Sequence, residues 1–389
     1  MKVISFFSGA GGMDLGFVLA GHEIIWSNDF DQYAVETYNN NIGFKNNHKS
    51  VLADVVSLLD TSKEEISKIL PDGDIIIGGF PCQGFSIANI NRSMEDSRNF
   101  LYEQLLKAIS VKQPKYFLLE NVKGLESMDG GKILSMILDD LEVAGTIKSK
   151  FFPSEGVGYT VVYGIHNALT FGVPQNRERV IILGIRNDIL NQSPLLNHFD
   201  DSKANGKYDC RKKLYIKGNY SADAKEVFPM SPVEISNKLY EAFLNDTTFN
   251  VPYGDKKYKY RTVKDAISDL PEDFDEKVLN HAGTKCKVKI NNSVGNRATE
   301  WDRYAPTIMG RGSGTGGPLI PPHPNLKRRL SVRETARIQT FPDKFKFFGS
   351  HSAGYRQIGN AVPVLMAYNI AKIFKSPKNW LPEKIVFKT

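Results

Sequence analysis

The chain has 389 residues, 41% hydrophobic and 24% charged, and a formal charge of +7. That length supports two domains with their own cores, and the positive charge suits a polyanionic partner, although a solvated basic surface would give the same number. No apolar run approaches the ~18 residues of a membrane helix, the start is too short for a signal peptide, and three cysteines without a Cys-x-x-Cys pair argue against a disulfide framework or a zinc site; a cytoplasmic protein without a bound metal is expected.

Residues 1–189 alternate strand and helix patterns. Strands are expected over 3–7, 23–28, 50–54, 74–78, 116–119, 159–165 and 180–185, with helices over 31–39, 62–70, 98–111 and 132–143 between them. This alternation predicts an α/β fold, a doubly wound sheet with helices on both faces. The first turn reads Phe7-Ser8-Gly9-Ala10-Gly11-Gly12. Glycines between a strand and a helix let backbone approach a ligand closely. Asp29 follows about 20 residues later, where a carboxylate can hold a ribose hydroxyl, and Asp54 ends the third strand similarly. The spacing Gly-x-Gly-Gly does not favour a nicotinamide site; it fits a nucleoside-containing ligand or a plain tight turn.

Asp74-Ile75-Ile76-Ile77-Gly78 is a short apolar run of the kind buried on both sheet faces. Gly78, Gly79 and Pro81 end it sharply and leave Cys82 on a loop at the strand's carboxyl end. Such an edge is where chemistry collects in open α/β sheets. Cys82 is therefore a candidate nucleophile, while a thiol serving as a small hydrophobe is the commoner role of any single cysteine. Glu120-Asn121 follows the strand at 116–119; Glu120 is a candidate general acid or a helix N-terminal carboxylate. In Gln175-Asn176-Arg177-Glu178-Arg179, a period of two puts Arg177 and Arg179 on one face. They would aim two guanidinium groups at a phosphate or a base edge, or form a charged strand entry facing solvent.

Beyond residue 190 the pattern degrades into lysines, scattered tyrosines and turns. A short helix with a Thr262 cap and a Pro271 stop is expected, followed by a glycine-rich basic loop from Arg311 to Gly317 able to lie against a nucleic-acid backbone. Regularity returns at Ser331, whose spacing to Glu334 is that of a capping box. Gly359-Asn360-Ala361-Val362-Pro363 then precedes a terminal apolar helix over 364–374.

Six of these pieces arrive in an order that resembles the DNA (cytosine-5)-methyltransferase family: Phe7 to Gly12, Pro81-Cys82-Gln83, Glu120-Asn121-Val122, Gln175-x-Arg177-x-Arg179, Arg329-Leu330-Ser331-x-Arg333-Glu334, and Gly359-Asn360-x-Val362-Pro363. The resemblance covers nearly the whole chain except residues 190–310. It implies a Rossmann-like S-adenosylmethionine-dependent methyltransferase sheet with a smaller inserted target-recognition domain. The catalytic and cofactor-binding domain would be 1–189 plus 354–389, the target-recognition domain 190–330, and the hinge 331–353. Phe7, Ser8, Gly9, Ala10, Gly11 and Gly12 would hold S-adenosylmethionine, with Asp29 on the ribose, Phe30 against the adenine, Asp54 and Val55 on the adenine edge, and Asn360 and Val362 closing the pocket. S-adenosylhomocysteine would be the product.

The implied reaction transfers a methyl group to C5 of a flipped-out cytosine in a short duplex sequence, with the Cys82 thiolate bonded to C6. Pro81 and Gln83 would frame the nucleophile, Glu120 would act at N3 and the exocyclic amine, Arg179 at O2, and Arg177 would support the same region. The base that removes the C5 proton has no assignment. A mobile loop over 84–98 would close on double-stranded DNA, with Ser86, Arg92, Thr307 and Arg311 as candidate DNA contacts. A compact, stand-alone monomer acting on the nucleoid is expected, either functionally paired with a restriction endonuclease or an orphan bacterial methyltransferase. Alternatives are a tRNA cytosine-5 methyltransferase and a non-catalytic DNA-binding member of the family.

Overall fold

The computed structural model describes residues 1–45, 48–81, 101–193, 195–196, 199–200, 213–283, 288, 290–291, 296–310 and 320–374. The first elements are β1 (Lys2–Phe6), α1 (Gly12–Leu19), β2 (Glu23–Asp29), α2 (Gln32–Tyr38), β3 (Val51–Leu52), α3 (Val55–Leu59), α4 (Lys63–Ile69) and β4 (Ile75–Gly78). There follow α5 (Leu101–Lys112), β5 (Tyr116–Val122), α6 (Lys132–Glu142), β6 (Tyr159–Asn167) and β7 (Glu178–Arg186). The later part contributes β8 (Phe199–Asp200), β9 (Lys213–Leu214), β10 (Tyr220–Ser221), α7 (Pro232–Leu244), β11 (Tyr258–Lys259), α8 (Val263–Ile267), α9 (Val332–Ile338), α10 (His351–Asn360) and α11 (Val364–Lys372).

The main sheet has the strand order 3-2-1-4-5-7-6-9-8. Strands β3, β2, β1, β4 and β5 are parallel, and β7 runs antiparallel between β5 and β6. A period of two in the strand sequences explains how both faces are covered. Ile75 and Ile77 enter one core and Ile76 the other; Tyr116 and Leu118 separate in the same way from Phe117 and Leu119. Each buried isoleucine contributes about 1.5–3 kcal/mol of apolar burial. One core is completed by Leu59, Ile66, Leu105, Ile137 and Leu141 from α3 to α6. The other takes α1 and α11, which approach so closely that a Cβ on Gly16 would overlap Ala367 and the Tyr368 nitrogen. The later chain joins this second core through Phe228, Leu239, Tyr253, Val263, Ile308 and Phe341. Every residue of α9, which lies in the stretch expected as a hinge, is buried.

Caps fall where their sequence signals are. Ser331 Oγ accepts the Glu334 N–H while Glu334 accepts the Ser331 N–H, and Thr262 and Asp265 make the same reciprocal pair on α8. Two differences from the expected strands have a local cause. Only Val51–Leu52 of the 50–54 stretch is strand, because the Asp54 carboxylate turns to cap α3, accepting from Val56 N at 2.9 Å. Strand β5 continues to Val122 because β7 keeps supplying partners after β4 ends: Glu120 faces Ile181, Asn121 faces Val180 and Val122 faces Arg179. Glu120 is thus a strand residue and not a helix N-terminal carboxylate.

From β1 the chain builds outward to β2 and β3, then returns to place β4 and β5 on the other side. The carboxyl ends of β1 and β4 therefore flank the point where strand order reverses. In doubly wound sheets that crevice is where ligands bind. No helix among the described residues is long and apolar enough to cross a membrane.

Candidate active site

Phe6 pairs with Gly78, and Gly78 with Leu119. Since neighbouring strands lie about 5 Å apart, two turns leave the sheet beside a continuing strand: the turn after Phe6, the Gly79-Phe80-Pro81 turn, and the Glu120–Val122 stretch of β5. The first turn bends through left-handed backbone at Phe7, Gly9 and Gly11, with φ of 53°, 55° and 89°. Gly9 needs its glycine for the backbone angle, and a Cβ there would meet nothing within 4 Å. The space above it is open to a ligand. Gly9 N–H donates to Asp29 Oδ2 at 2.8 Å, and Asp31 N–H donates to Oδ1 at 2.9 Å. These bonds fix the carboxylate against the turn; burial pushes its pKa up while they pull it down. Phe30 beside it is 73% exposed, a bare aromatic face next to an oriented carboxylate. Of the remaining residues expected around a nucleoside, Ser8 and Ala10 are buried in the turn. Asp54 is exposed, Val55 and Val362 face the cores, and Asn360 is exposed at the end of α10. Gly12 brings α1 to the closing segment: a Cβ there would overlap the Val362 carbonyl oxygen and Ala361. Ala361 and Val362 therefore lie directly against the start of α1.

The second half of the site gathers on β5 and β7. Arg179 Nε is 2.8 Å from Glu120 Oε1, with both side chains about one-tenth exposed. Their positions are diagonal across the antiparallel ladder, within reach of long side chains. Arg179 also donates through Nη1 to Glu178 O at 2.8 Å. Burial lowers the Arg179 pKa, and the Glu120 charge works in the opposite direction. Gly79 lies against this pair, since a Cβ there would stand 3.1 Å from Glu120 Oε2. Asn121 Nδ2 donates to Phe80 O at 3.0 Å, holding the turn that ends at Pro81. Cys82, Gln83, Ser86, Arg92 and Arg311, together with the loop expected over 84–98, lie outside the described residues.

Arg177 departs from expectation. Its guanidinium, 1% exposed, donates to Ile308 O, Gly359 O and Ala361 O at 2.8–2.9 Å. It does not join Arg179 on a shared target, because Arg177 precedes the first residue of β7 and is drawn instead to carbonyls of two distant segments. Thr307 is half-buried, its hydroxyl donating to Asn176 O at 2.6 Å. Among the described residues, no cluster of His, Cys, Asp or Glu could hold a metal ion.

Sequence reasoning missed a polar cluster beneath the first turn. Asp14, in the first turn of α1, is fully buried and accepts from Ser5 Oγ at 2.7 Å. The Tyr38 ring packs under Gly11, and Ser27 Oγ lies 2.9 Å from His48 Nε2. Burial raises the Asp14 pKa to about 7 and lowers that of His48 to about 4. The two groups act on stability in opposite directions. A raised carboxyl contributes stability that is complete below its unfolded value, 3.8, and is lost as pH rises through about 7. A depressed histidine contributes stability that is complete above 6.5 and is lost as pH falls through about 4. Asp14→Asn should therefore match the native protein near pH 4. It should gain on it steadily through pH 7, by on the order of 4 kcal/mol, and hold a level lead above that. Denaturant melts across pH 4–8 read this directly, and a stability difference independent of pH would refute the assignment.

The family model for C-5 cytosine-specific DNA methylase matches residues 1–376. Type II methyltransferase M.FnuDI of Fusobacterium nucleatum is 32% identical over 405 residues, covering 96% of this chain and 94% of that protein. Type II methyltransferase M.NgoFVII of Neisseria gonorrhoeae is 32% identical over 400 residues, covering 99% and 91%. Among solved structures, a putative DNA modification methyltransferase encoded within an E. coli prophage superposes with a TM-score of 0.56 at 24% identity, covering 96% of this chain and 98% of that one. That likeness speaks to the fold.

Proposed function

Because this chain belongs to the C-5 cytosine-specific DNA methylase family, we propose that it methylates a cytosine flipped out of a specific short duplex sequence, by way of a covalent bond between Cys82 and C6 of the base. The enzyme is a DNA (cytosine-5)-methyltransferase. The observation that carries the finer reading is the buried Glu120–Arg179 pair, set against the Gly79–Pro81 turn that leads into Cys82.

The residues at the first turn fit the family's methyl donor: open space over Gly9, an oriented Asp29 carboxylate and the bare Phe30 ring. When bound, S-adenosylmethionine supplies an electrophilic methyl group. Cytosine C5 alone is too weak a nucleophile to accept it at a useful rate. The Cys82 thiolate adds to C6, and the electron pair of the C5–C6 double bond moves towards C5 and N3. Glu120, a carboxylate paired with Arg179 before the base enters, takes up a proton from solvent as the base binds and passes it to N3 as charge builds there. Arg179, held also by the Glu178 carbonyl, faces O2. After methylation, a water molecule takes the C5 proton, the C5–H electron pair re-forms the C5–C6 double bond and expels the thiolate, and N3 returns its proton to Glu120. This geometry requires a base outside the helix, so flipping costs a few kcal/mol.

Thr307, Ser86, Arg92 and Arg311 are our candidates for backbone contacts, and residues 190–330 for sequence readout. We place the catalytic and cofactor-binding part at 1–189 and 354–389. The Type II names of the relatives support a functional partner of a restriction endonuclease, acting on cellular DNA; that it works as a monomer in the cytoplasm is part of our reading. Bisulfite sequencing of DNA from cells expressing the protein should reveal one short methylated motif. A duplex carrying 5-fluorocytosine at that position should trap a protein–DNA adduct stable to denaturation, because fluorine blocks release of C5. An enzyme that methylates the motif yet forms no adduct would remove the covalent role of Cys82.

A further inference from the structure

Four segments distant in sequence meet at one joint whose side chains are buried. Gln175 Nε2 donates to Gln339 Oε1 at 3.0 Å, while Gln175 Oε1 accepts the Ile308 N–H at 3.0 Å. Gln339 Nε2 in turn donates to Ile358 O at 2.8 Å. Arg177 closes the figure by binding Ile308 O on one side and Gly359 O and Ala361 O on the other. The backbones are in contact as well: a Cβ on Gly359 would overlap Met309 O, and one on Gly310 would overlap the Asn360 side chain. Gln175 and Gln339 are both 0% exposed, so these bonds form without competition from water and their loss would strand buried donors and acceptors.

What hangs from this joint is functional. Two residues beyond Arg177 is Arg179, which holds Glu120. Next to Ile308 is Thr307, and next to Gly359 and Ala361 are Asn360 and Val362. We infer that Gln175, Arg177 and Gln339 are positioning residues that bind the base pocket, a DNA-contacting segment and the cofactor-closing segment into a single mechanical unit, so that occupancy of the cofactor pocket tightens binding of DNA and the reverse. The inference rests on the proposed placing of Asn360 and Val362 at the cofactor and Thr307 at DNA. A displacement that one ligand imposes on the 359–362 or the 305–310 segment is carried to the other through the shared carbonyls, so the second ligand meets a segment already in its bound position.

The test is a thermodynamic cycle on the full-length enzyme with S-adenosylhomocysteine and a duplex carrying the motif found by bisulfite sequencing. In the native enzyme S-adenosylhomocysteine should tighten duplex binding by on the order of tenfold. Gln175→Met keeps the side-chain length and removes both bonds; its coupling factor should fall below about twofold while each ligand alone binds within about threefold of native. A purely structural role would lower the melting temperature and leave the coupling of the folded fraction intact. Gln339→Met, which leaves the Gln175–Ile308 bond in place, should give an intermediate factor and is read if the first variant does not fold. Coupling unchanged in either folded variant, no coupling in the native enzyme, or failure of both variants to fold would overturn the inference. Failure of the native enzyme to bind either ligand would instead overturn the functional reading beneath it.

Discussion

Cys82→Ser is expected to reduce methyl transfer by at least ~10³-fold while leaving S-adenosylmethionine affinity within about threefold. A thiol is a few per cent ionised at neutral pH and its anion is strongly nucleophilic; a serine hydroxyl is hardly ionised at all. Adding to C6 creates electron density at C5, so losing the nucleophile removes the step that makes C5 reactive. Cofactor affinity should survive because the Gly9–Asp29 contact and the exposed Phe30 lie at the ends of β1 and β2, one and two strands over from β4, which leads towards Cys82. Tritium transfer from labelled cofactor to duplex DNA, together with equilibrium dialysis, measures the two quantities separately. Cys210→Ser and Cys286→Ser serve as controls, since neither thiol stands in a motif, and both should retain native rates. Native turnover by Cys82→Ser would end the covalent mechanism, whatever the family.

The chemistry-bearing strands were legible because local pattern and tertiary role coincide in them. The Ile75 to Ile77 run reads as doubly buried and divides its side chains between both cores. The capping box at Ser331 and Glu334 needs only four residues of sequence to be seen. What could not be read was anything decided by partners far along the chain. Arg177 has the same spacing to Arg179 that a pair aimed at one ligand would have; only carbonyls 131 to 184 residues away reveal its use. Gln175 and Gln339 are 164 residues apart and each looks like a solvent-facing amide until the fold joins them. Asp14 sits in a helical first turn, where a carboxylate usually favours the helix dipole from the surface; its complete burial depends on Ser5 and Tyr38 from neighbouring elements. From 213 to 283 the strands are two residues long, too short for periodicity to register.

Breaking the Glu120–Arg179 pair should separate chemistry from stability. Arg179→Met leaves the Glu120 carboxylate about one-tenth exposed without its cation. An uncompensated buried charge costs about 3–5 kcal/mol, which a denaturant midpoint should report with little change in slope. Turnover of the folded fraction should also fall, by about 10²–10³-fold, the usual effect of deleting one preorganised donor at a developing charge. Arg179→Lys keeps the charge but gives up the rigid fork that reaches Glu120 and the Glu178 carbonyl together. It should regain most of the stability and only part of the rate. The double change Arg179→Met with Glu120→Leu is the decisive one. Replacing a buried ion pair by apolar groups of similar size is often neutral or stabilising, so the fold should recover to within about 1 kcal/mol of native. Activity should not recover, because the proton source for N3 and the donor at O2 are both gone. A double variant that regained turnover with its stability would mean that the pair merely braces β5 against β7, and the acid of the reaction would have to be sought elsewhere on the same sheet edge.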